Sequence, residues 1–343
     1  MYPGAPVCLV MPFHNEASHL PAVLASLAAQ TDGAGRPVRP TLIAVDDRST
    51  DDGAAIVQRW LAETGWAGEV VPFDARNIAS ALNRGLTRVP DDAYVIRIDA
   101  HTVYAPDYVA TIMNAFAALP ADVWCVGGNH ELTPPTSFGR ALHAALFSNP
   151  MGFGPADYRN FEAVRPVTSV YLGAWRPGVL RTLHGYDERW RANEDAELAE
   201  RVREAGGSVV RVPAHSRKIL TRGARAALVQ WTRYGYWRAQ TIAHHPRSVR
   251  LRHVAPPVAL AGALGLAISP ARIALVPLAA VYAVATVMLR PAGQPIGVTA
   301  ASLAYFPLVH AGYACGMIAG GVASLFSRAR PEPAPQTSNA QRG

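Results

Sequence analysis

Short apolar runs alternate with amphipathic segments along the first part of the chain. The runs are bounded by turn formers, which predicts β-strands. These strands are expected at Val7–Met11, Thr41–Val45, Glu69–Phe73, Tyr94–Ile98, Val123–Gly127 and Ser208–Val212. Apolar residues at helical spacing predict helices at Glu16–Gln30, Asp51–Glu63, Ile78–Arg88 and Pro106–Leu119. Strands that alternate with helices predict an α/β domain in which a largely parallel sheet lies between helices.

Polar residues follow four of these strands at the point where each strand ends. They occur in "PFHNE", "DDRSTDD", "DARN" and "DAH". Ligands of parallel α/β sheets bind beyond the carboxyl ends of the strands, so this pattern predicts one shared ligand site. Ser49 and Asp51 are placed to cap the next helix, but capping does not explain Asp46 and Asp47. Solvated loops are the alternative interpretation.

The hydropathy pattern changes after His253. Three segments without Asp, Glu, Lys or Arg follow, at Val254–Ser269, Ile273–Leu289 and Ile296–Phe326. A helix needs about 20 apolar residues to span a bilayer. The first two segments are therefore at the short limit, and the third is long enough. Membrane helices are the favoured interpretation, with a re-entrant or interfacial segment and a buried helical core as alternatives.

The net charge of +7 comes from one region of the chain. Residues 1–210 carry 17 Arg and Lys against 24 Asp and Glu, whereas residues 211–253 carry ten Arg and Lys and no acid. A basic block before apolar segments indicates contact with anionic lipid or a phosphate-bearing substrate, and no nucleic acid is expected. A generally Arg-rich composition would not explain the missing acids. We expect an α/β domain at 1–215 and a basic, aromatic juxtamembrane segment at 216–253. About three membrane helices are expected at 254–327 and a disordered tail at 328–343.

The cysteines and the N-terminus bear on location. Cys8, Cys125 and Cys315 lie far apart without a CxxC pair, which predicts ordinary thiols in a reducing compartment. The N-terminal sequence lacks the basic and apolar regions of a signal peptide. We therefore expect a cytoplasmic α/β domain attached to the inner membrane by a multi-pass region.

Two further segments carry residues suited to chemistry. In "YVIRIDAHTVY", Asp99 and His101 are two positions apart and can hold one divalent cation from an extended segment. A surface hydrogen-bonded pair is the plainer alternative. In "RANEDAELAERVREAGG", Asn193 is expected to cap a helix with Glu194 and Asp195 in its first turn. These acids complement the helix dipole or, alternatively, include a general base.

The segment "QWTRYGYWRAQ" combines four aromatic residues with two arginines. Arginine forks bind phosphate and aromatic faces stack on sugars. An interfacial aromatic belt with snorkelling arginines fits equally well. Neither GxGxxG nor GxxxxGK[ST] follows the first strand, which disfavours a dinucleotide enzyme and a P-loop NTPase.

Taken in order, "MPFHNE", "VDDRSTD", "NIASALNRGL", "RIDAH", "GYDERWRANEDAEL" and "QWTRY" resemble the motifs of inverting family 2 glycosyltransferases. The resemblance covers about residues 5–240, and the sequence that follows resembles membrane-bound exopolysaccharide transferases of the succinoglycan type. It implies the GT-A fold and a hexosyltransferase-type enzyme. Such an enzyme moves one sugar from a nucleotide-sugar, expected to be UDP-linked, to a lipid-linked (polyprenyl-type) or glycan acceptor.

The resemblance also implies roles for individual residues. The donor would be bound by Pro12, Glu16, Asp46, Asp47, Asn77, Asn83 and Asp99. Asp99 matches the first aspartate of the metal-binding DxD motif and His101 replaces the second, so the expected cofactor is magnesium or manganese. Asp195 matches the catalytic base that deprotonates the acceptor hydroxyl. The acceptor and the diphosphate would be contacted by Glu194, Gln230, Arg233 and Tyr234.

Other functions stay open on the sequence alone. Tyr234 stands where the QxxRW element usually has Trp, which together with the few apolar segments argues against a processive polymerase. A catalytically silent membrane subunit that binds a glycan or a partner is one alternative, although intact Asp99 and Asp195 argue against it. A polyprenyl-phosphate sugar synthase is another, and it differs only in its acceptor.

Overall fold

The computed structural model describes residues 5–133, 136–152, 163–219 and 224–327, so the expected tail at 328–343 lies outside the described residues. The elements of the first half are β1 (Val7–Phe13), α1 (Leu20–Ala28), β2 (Thr41–Asp47), α2 (Gly53–Thr64), β3 (Gly68–Phe73), α3 (Ile78–Leu86), β4 (Tyr94–Arg97), β5 (Thr102–Tyr104), α4 (Tyr108–Ala118), β6 (Val123–Thr133) and α5 (Ser137–Ser148). Those of the second half are β7 (Arg165–Pro166), β8 (Tyr171–Trp175), α6 (Val179–Thr182), α7 (Glu194–Glu204), β9 (Ser208–Ile219), α8 (Ala224–His244), α9 (Leu251–Ala267), α10 (Leu275–Met288) and α11 (Ile296–Ser327).

The described strands form one mixed sheet in the order β3-β2-β1-β4-β8-β6-β9-β5, with β7 paired to β9. Strands β1 to β4 pair in parallel, which confirms the predicted alternation in this half. Strand β8 lies antiparallel between β4 and β6, and β5 lies antiparallel to β9. Neither β5 nor β8 was predicted, because each is short, with three and five residues. The expected α/β class, with a mostly parallel sheet, is correct.

Both faces of the sheet are covered because successive side chains of its strands point in opposite directions. In β1, Leu9 and Met11 are buried in the core cluster that contains residues of α1, α2 and α4. Val10 is buried on the opposite face with residues of α3 and α7. Gly85 of α3 allows this close packing, because a Cβ atom there would lie 2.5 Å from Cγ1 of Val10.

Several predicted boundaries move in the structure. Helix α1 begins at Leu20 rather than Glu16, because residues 16–19 form a turn before it. Strand β9 continues to Ile219, past the expected boundary at 215, because it pairs with both β5 and β6. Asn193 does occupy the position before α7, but its φ is 60° and its side chain makes no capping bond, so the capping role was wrong. Ser49 does not cap α2 either, since its hydroxyl accepts a hydrogen bond from the Asn15 amide.

The C-terminal part is helical, with one helix in each expected apolar segment. The segments Pro270–Met288 and Ile296–Phe326 are long and apolar enough to cross a membrane, whereas α9, with 17 residues, is shorter. Helix α11 packs along α8 at Gly312, Gly316 and Gly320. A Cβ atom at Gly316 would overlap the Thr232 carbonyl. Helix α11 is therefore held against the helix that follows the sheet, and much of α9 and α10 exposes apolar side chains.

Candidate active site

The loops after β1 and β2 are tied together at the carboxyl edge of the sheet. The Asn15 side-chain oxygen accepts a hydrogen bond from the Thr50 amide at 2.7 Å, and Oδ2 of Asp51 accepts one from the Ala17 amide at 2.8 Å. Asn15 has a φ of 55°, and Arg48 in the facing loop has a φ of 60°. Non-glycine residues adopt this left-handed region rarely, and mostly where surrounding contacts compel it. The two loops thus have a defined shape next to Pro12 and Glu16.

Asp47 shapes a third loop. Its carboxylate accepts hydrogen bonds from the backbone amides of Ala75, Arg76 and Asn77 at 2.8, 2.8 and 3.0 Å. Both oxygens are thereby engaged in the loop between β3 and α3. Asp46 is half-buried, and its Oδ1 accepts from the Ser49 amide at 2.9 Å. In this structure the two aspartates organise the strand ends, and their expected contacts with a donor remain a prediction.

Asn77 and Asn83 hold a distant segment against α3. The Asn77 side chain caps α3 by accepting from the Ala79 amide, and it donates to the Glu188 carbonyl at 2.6 Å. Asn83 donates to the Tyr186 carbonyl and to Oε1 of Glu188 at 2.8 and 2.9 Å. The described geometry therefore gives both asparagines a structural role, because their side chains fix the segment that leads into α7.

A buried polar cluster surrounds Asp99. Its Oδ2 accepts a hydrogen bond from the Tyr171 hydroxyl at 2.7 Å, and Nε of Arg97 lies 3.6 Å from its Oδ1. The ammonium of Lys218 and Nε2 of His101 each lie 3.9 Å from Oδ2. Burial opposes ionisation, but the charges of Arg97, Lys218 and His101 and the tyrosine bond hold the pKa of Asp99 at about 2. Asp99 is therefore ionised at every physiological pH.

His101 is oriented by Glu16. Its Nδ1 lies 3.0 Å from Oε1 of Glu16, whose Oε2 accepts from Nδ1 of His19 at 2.6 Å. Burial raises the pKa of Glu16, but the two histidine bonds outweigh it and lower the pKa overall. An ionised carboxylate only accepts, so Nδ1 of His101 donates to Glu16, and this bond turns Nε2 of the ring towards Asp99. Glu16 thus fixes the orientation of the His101 ring, and its expected contact with a donor remains a prediction.

The Asp99–His101 pair fits a divalent cation that is shared with a substrate. The described residues contain no group of three or more His, Cys, Asp or Glu side chains that could hold a metal ion by themselves. Magnesium and similar ions commonly take one or two protein ligands and complete their shell with substrate phosphates and water. A histidine ligand whose other nitrogen donates to a carboxylate, as His101 does to Glu16, is the usual supporting arrangement. The residues therefore fit a cation bound together with a phosphorylated ligand.

Arg97 connects this cluster to α7. Arg97 is 5% exposed, and its guanidinium donates to Oε1 of Glu194 at 2.8 Å and lies beside Asp99. Buried charges are retained when they are paired and hydrogen-bonded. The pairing joins a strand residue and a helix residue that are far apart in sequence. It places the first turn of α7 next to the Asp99 cluster.

Asp195 follows Glu194 in that turn and has the character of a base. Burial and the neighbouring charge of Glu194 raise its pKa to about 6, while Arg97 and Arg238 act in the opposite direction. Oδ1 accepts a hydrogen bond from the Ala196 amide at 2.7 Å. A carboxylate whose pKa lies near neutrality can take a proton in one step and release it in the next.

Helix α8 brings the three residues of the "QWTRY" motif to the same region. Gln230 donates to the Tyr234 hydroxyl at 2.6 Å, and the Tyr234 carbonyl accepts from the side chain of Asn193 at 3.2 Å. Burial and the charges of Asp195 and Glu194 raise the pKa of Tyr234, so its phenol stays protonated. Arg233 is exposed. Gln230 and Tyr234 therefore lie near the base, with Arg233 on the same helix.

The other aromatic residues of α8 fix its position. Trp190 packs against Trp237 with ring centroids 5.9 Å apart, and its Nε1 donates to the Thr241 hydroxyl at 3.2 Å. Trp231 packs against Phe147 of α5 at 5.9 Å. These contacts show that the aromatic cluster joins α8 to the α/β domain, a third role beside the two expected from the sequence.

Four residues at this edge were missed by sequence reasoning: Arg97, Tyr171, Glu188 and Lys218. Arg97 carried a usable signal, because a charged residue in the apolar run "YVIRI" must have a buried partner. Lys218 carried another, since it is the only lysine of the chain. Tyr171 and Glu188 carried none, because their partners lie on elements that are remote in sequence.

The chain is similar to known proteins in sequence. Residues 8–174 match the model of the family described as glycosyl transferase family 2. The succinoglycan biosynthesis protein ExoA of Rhizobium meliloti is 28% identical over 255 residues, which cover 72% of this chain and 73% of ExoA.

Two solved structures share the fold. The mannosyltransferase PcManGT of Pyrobaculum calidifontis, in complex with GDP-Man and Mn²⁺, superposes with a TM-score of 0.58 at 20% identity and covers 94% of this chain and 88% of its own. Residues 1–349 of S. aureus TarS, in complex with UDP-GlcNAc, give a TM-score of 0.51 at 13% identity over 94% of this chain and 92% of TarS. The expected GT-A fold is thereby confirmed. This chain is a glycosyltransferase, and its residues 8–174 match the glycosyl transferase family 2 model.

Proposed function

We propose that the protein is a membrane-anchored inverting glycosyltransferase. It transfers a single sugar from a nucleotide-sugar, expected to be UDP-linked, to a lipid-linked or glycan acceptor in exopolysaccharide or cell-envelope glycan synthesis. One observation carries the proposal: the buried Arg97 bridges Asp99, in the cluster suited to a phosphorylated ligand, and Glu194, the neighbour of the raised-pKa carboxyl Asp195. The similarity to ExoA supports the exopolysaccharide setting.

In the proposed reaction Asp195 takes the proton of the acceptor hydroxyl. The acceptor oxygen forms a bond to C1 of the donor sugar from the face opposite the diphosphate. The bond between C1 and the phosphate oxygen breaks, and its electron pair leaves with the nucleoside diphosphate. Attack from the opposite face inverts the anomeric centre. The proton on Asp195 then passes to solvent, which its pKa of about 6 permits at neutral pH.

Asp99 and His101 would hold the divalent cation, magnesium or manganese, that neutralises the departing diphosphate. The chain prepares this place in two ways. Glu16 fixes the His101 ring with Nε2 towards Asp99, and the surrounding cations keep Asp99 ionised. The Mn²⁺ in the PcManGT complex supports the choice of cation.

The proposed membrane attachment uses α9, α10 and α11. Leu251, Ile268, Ile273 and Ile296 are each more than three-quarters exposed, and such a concentration of large apolar side chains is typical of a surface that contacts lipid. Arg247 and Arg250, just before α9, are exposed and suited to anionic headgroups. The α/β domain would then face the cytoplasm at the inner membrane, where a lipid-linked acceptor can reach Asp195.

A ligand screen with a matched variant tests the proposed function. The purified full chain, in detergent with magnesium or manganese, is screened for thermal stabilisation and sugar transfer with UDP- and GDP-sugars. A donor present at 100 times its Kd stabilises the folded state by about 2.7 kcal/mol. We expect Asp195→Asn to bind the donor as the wild type does but to transfer sugar about 10²–10⁴-fold more slowly, as loss of a general base implies.

The outcomes separate the proposal from its alternatives. Absence of binding and turnover across the panel would overturn the proposal. Binding without turnover, together with normal glycan output from cells that carry Asp195→Asn, would indicate the silent subunit. A product with one phosphate between lipid and sugar would identify the polyprenyl-phosphate synthase.

A further inference from the structure

The only lysine of the chain, Lys218, lies at the edge of the Asp99 cluster. Strand β9 places it there, because Lys218 pairs in register with Thr102 of β5, three residues after Asp99. Its side chain is 21% exposed. Every other basic residue of the chain is one of 31 arginines, so the Arg-rich composition does not explain a lysine at this position.

The ammonium of Lys218 is held in place without a direct hydrogen bond. Nζ lies 3.9 Å from Oδ2 of Asp99, beyond hydrogen-bonding distance, and Tyr171 already donates to that oxygen at 2.7 Å. Nζ also lies 5.0 Å from the centre of the Tyr171 ring, where a cation is attracted to the aromatic face. Within the described ranges Nζ donates to no protein acceptor. Its three N–H donors are therefore available to a ligand.

The surroundings of Lys218 select a phosphate ligand. Asp99 accepts from Tyr171 and also lies beside Arg97, so it retains polar partners when Lys218 turns towards a ligand. A lysine ammonium is a compact charge that binds phosphate oxygens from several directions. The adjacent Asp99–His101 pair fits a cation shared with a phosphorylated ligand, and two cationic centres close together require an anion between them.

We propose that Lys218 binds the diphosphate of the donor and stabilises the charge that develops on it during transfer. The proposal rests on the proposed function and names a further residue for the same reaction. As the bond between C1 and the phosphate oxygen breaks, the electron pair moves onto the diphosphate. The Lys218 ammonium donates hydrogen bonds to those oxygens and keeps its own protons.

The test compares Lys218→Met with Arg217→Met. Methionine retains most of the side-chain length but removes the charge. Arg217 is the preceding residue of β9, is exposed, and projects to the opposite side of the strand, so it is the matched control. Lys218→Arg restores a cation and serves as the rescue variant. Each protein is the full chain in detergent, and its thermal midpoint without ligand establishes that it is folded.

The first readout is binding of UDP and GDP, compared with UMP and GMP, in buffer with EDTA. We expect Lys218→Met to weaken diphosphate binding about tenfold or more and to leave monophosphate binding within twofold. Lys218→Arg should recover part of the loss, and Arg217→Met should match the wild type. A purely structural role for Lys218 would weaken both nucleotides alike, and that result would overturn the proposal.

The second readout is transfer at saturating donor and metal. We expect kcat of Lys218→Met to fall about 10²–10³-fold, the usual effect of removing one stabilising donor from developing charge. Wild-type kcat and diphosphate affinity in Lys218→Met would refute the role of Lys218 and leave the proposed function standing. If the wild type bound no nucleotide and turned over no donor, both proposals would fail.

Discussion

The acid pair at the start of α7 illustrates how one residue changes the chemistry of its neighbour. Glu194 is buried and paired with Arg97, which keeps a second carboxylate charge beside Asp195. Like charges in a desolvated site favour the protonated form, so the pKa of Asp195 rises to about 6. The pKa of Asp99 moves the other way, to about 2, because cations surround it. Asp99, which pairs with Arg97, and Asp195, which follows the other partner of Arg97, are thereby suited to different tasks.

These shifts predict the pH dependence of transfer. A base acts only when it is deprotonated, so kcat/KM should fall below pH 6, by about tenfold per pH unit, and level off above it. Asp99 does not contribute, since it stays ionised down to about pH 2. Glu194→Gln removes the neighbouring charge and should move the acid limb to lower pH.

The matched control is Glu204→Gln at the other end of α7. Glu204 is half-exposed and pairs with His245 at 2.8 Å, away from the Asp195 carboxyl. We expect Glu204→Gln to leave the acid limb of the kcat/KM profile at the wild-type pH. If Glu194→Gln and Glu204→Gln gave the same limb as the wild type, another group would be the base.

At the scale of elements, α11 stabilises the position of α8 through small residues. Gly312, Gly316 and Gly320 recur every four residues and form one stripe of α11, and they lie against the α8 backbone. Gln240 of α8 also donates to the Gly320 carbonyl at 2.9 Å. Small residues at this spacing let two helix backbones approach closely. The orientation of the Gln230 and Tyr234 side chains therefore depends on a helix that begins more than fifty residues later.

We therefore expect Gly316→Val to destabilise the protein and to reduce transfer. The added side chain would overlap the Thr232 carbonyl, and overpacking of this kind costs about 1–3 kcal/mol. The thermal midpoint and kcat, measured on the same preparation, check this. Gly321→Val is the control, because no atom lies within 4 Å of a Cβ placed there. Equal effects of the two variants would mean that α8 does not depend on this contact.

At the scale of the whole molecule, chemical labelling of a cysteine of the chain can test the proposed membrane attachment. Cys8 and Cys125 are buried, whereas Cys315, near the middle of α11, is exposed. If α11 lies in the bilayer, we expect a charged, membrane-impermeant maleimide to leave Cys315 unlabelled in membrane vesicles with the α/β domain outside. Arg59→Cys, on the exposed face of α2, should be labelled in the same vesicles.

Rapid labelling of Cys315 in intact vesicles would contradict the attachment through α11. The variant Cys315→Ser, combined with Arg59→Cys, shows that each signal comes from the intended thiol. Labelling after denaturation confirms that Cys315 itself is reactive.

Local patterns of the sequence determined the elements of this protein. Apolar residues recur about every two positions in a half-buried strand and about every 3.6 positions in a helix. This periodicity was enough to locate β1 to β4, α2, α3 and α7. The strand-end carboxylates and the apolar C-terminal segments are local features of the same kind. The motifs around Asp99 and Asp195 were recognised because they occur in a familiar order.

Only the tertiary structure decided which of these residues meet. The Tyr171 bond to Asp99 and the approach of Lys218 depend on β8 and β9 lying next to particular strands, and the Arg97–Glu194 pair depends on α7 packing beside β4. Strand order results from the packing of both sheet faces at once, so no short stretch of sequence encodes it. The hydrogen bonds of Glu16 with His101, and of Asn77 and Asn83 with the segment before α7, likewise join residues that are remote in sequence. Only the fold revealed them for the same physical reason, and the expected contacts of these three residues with a donor remain predictions.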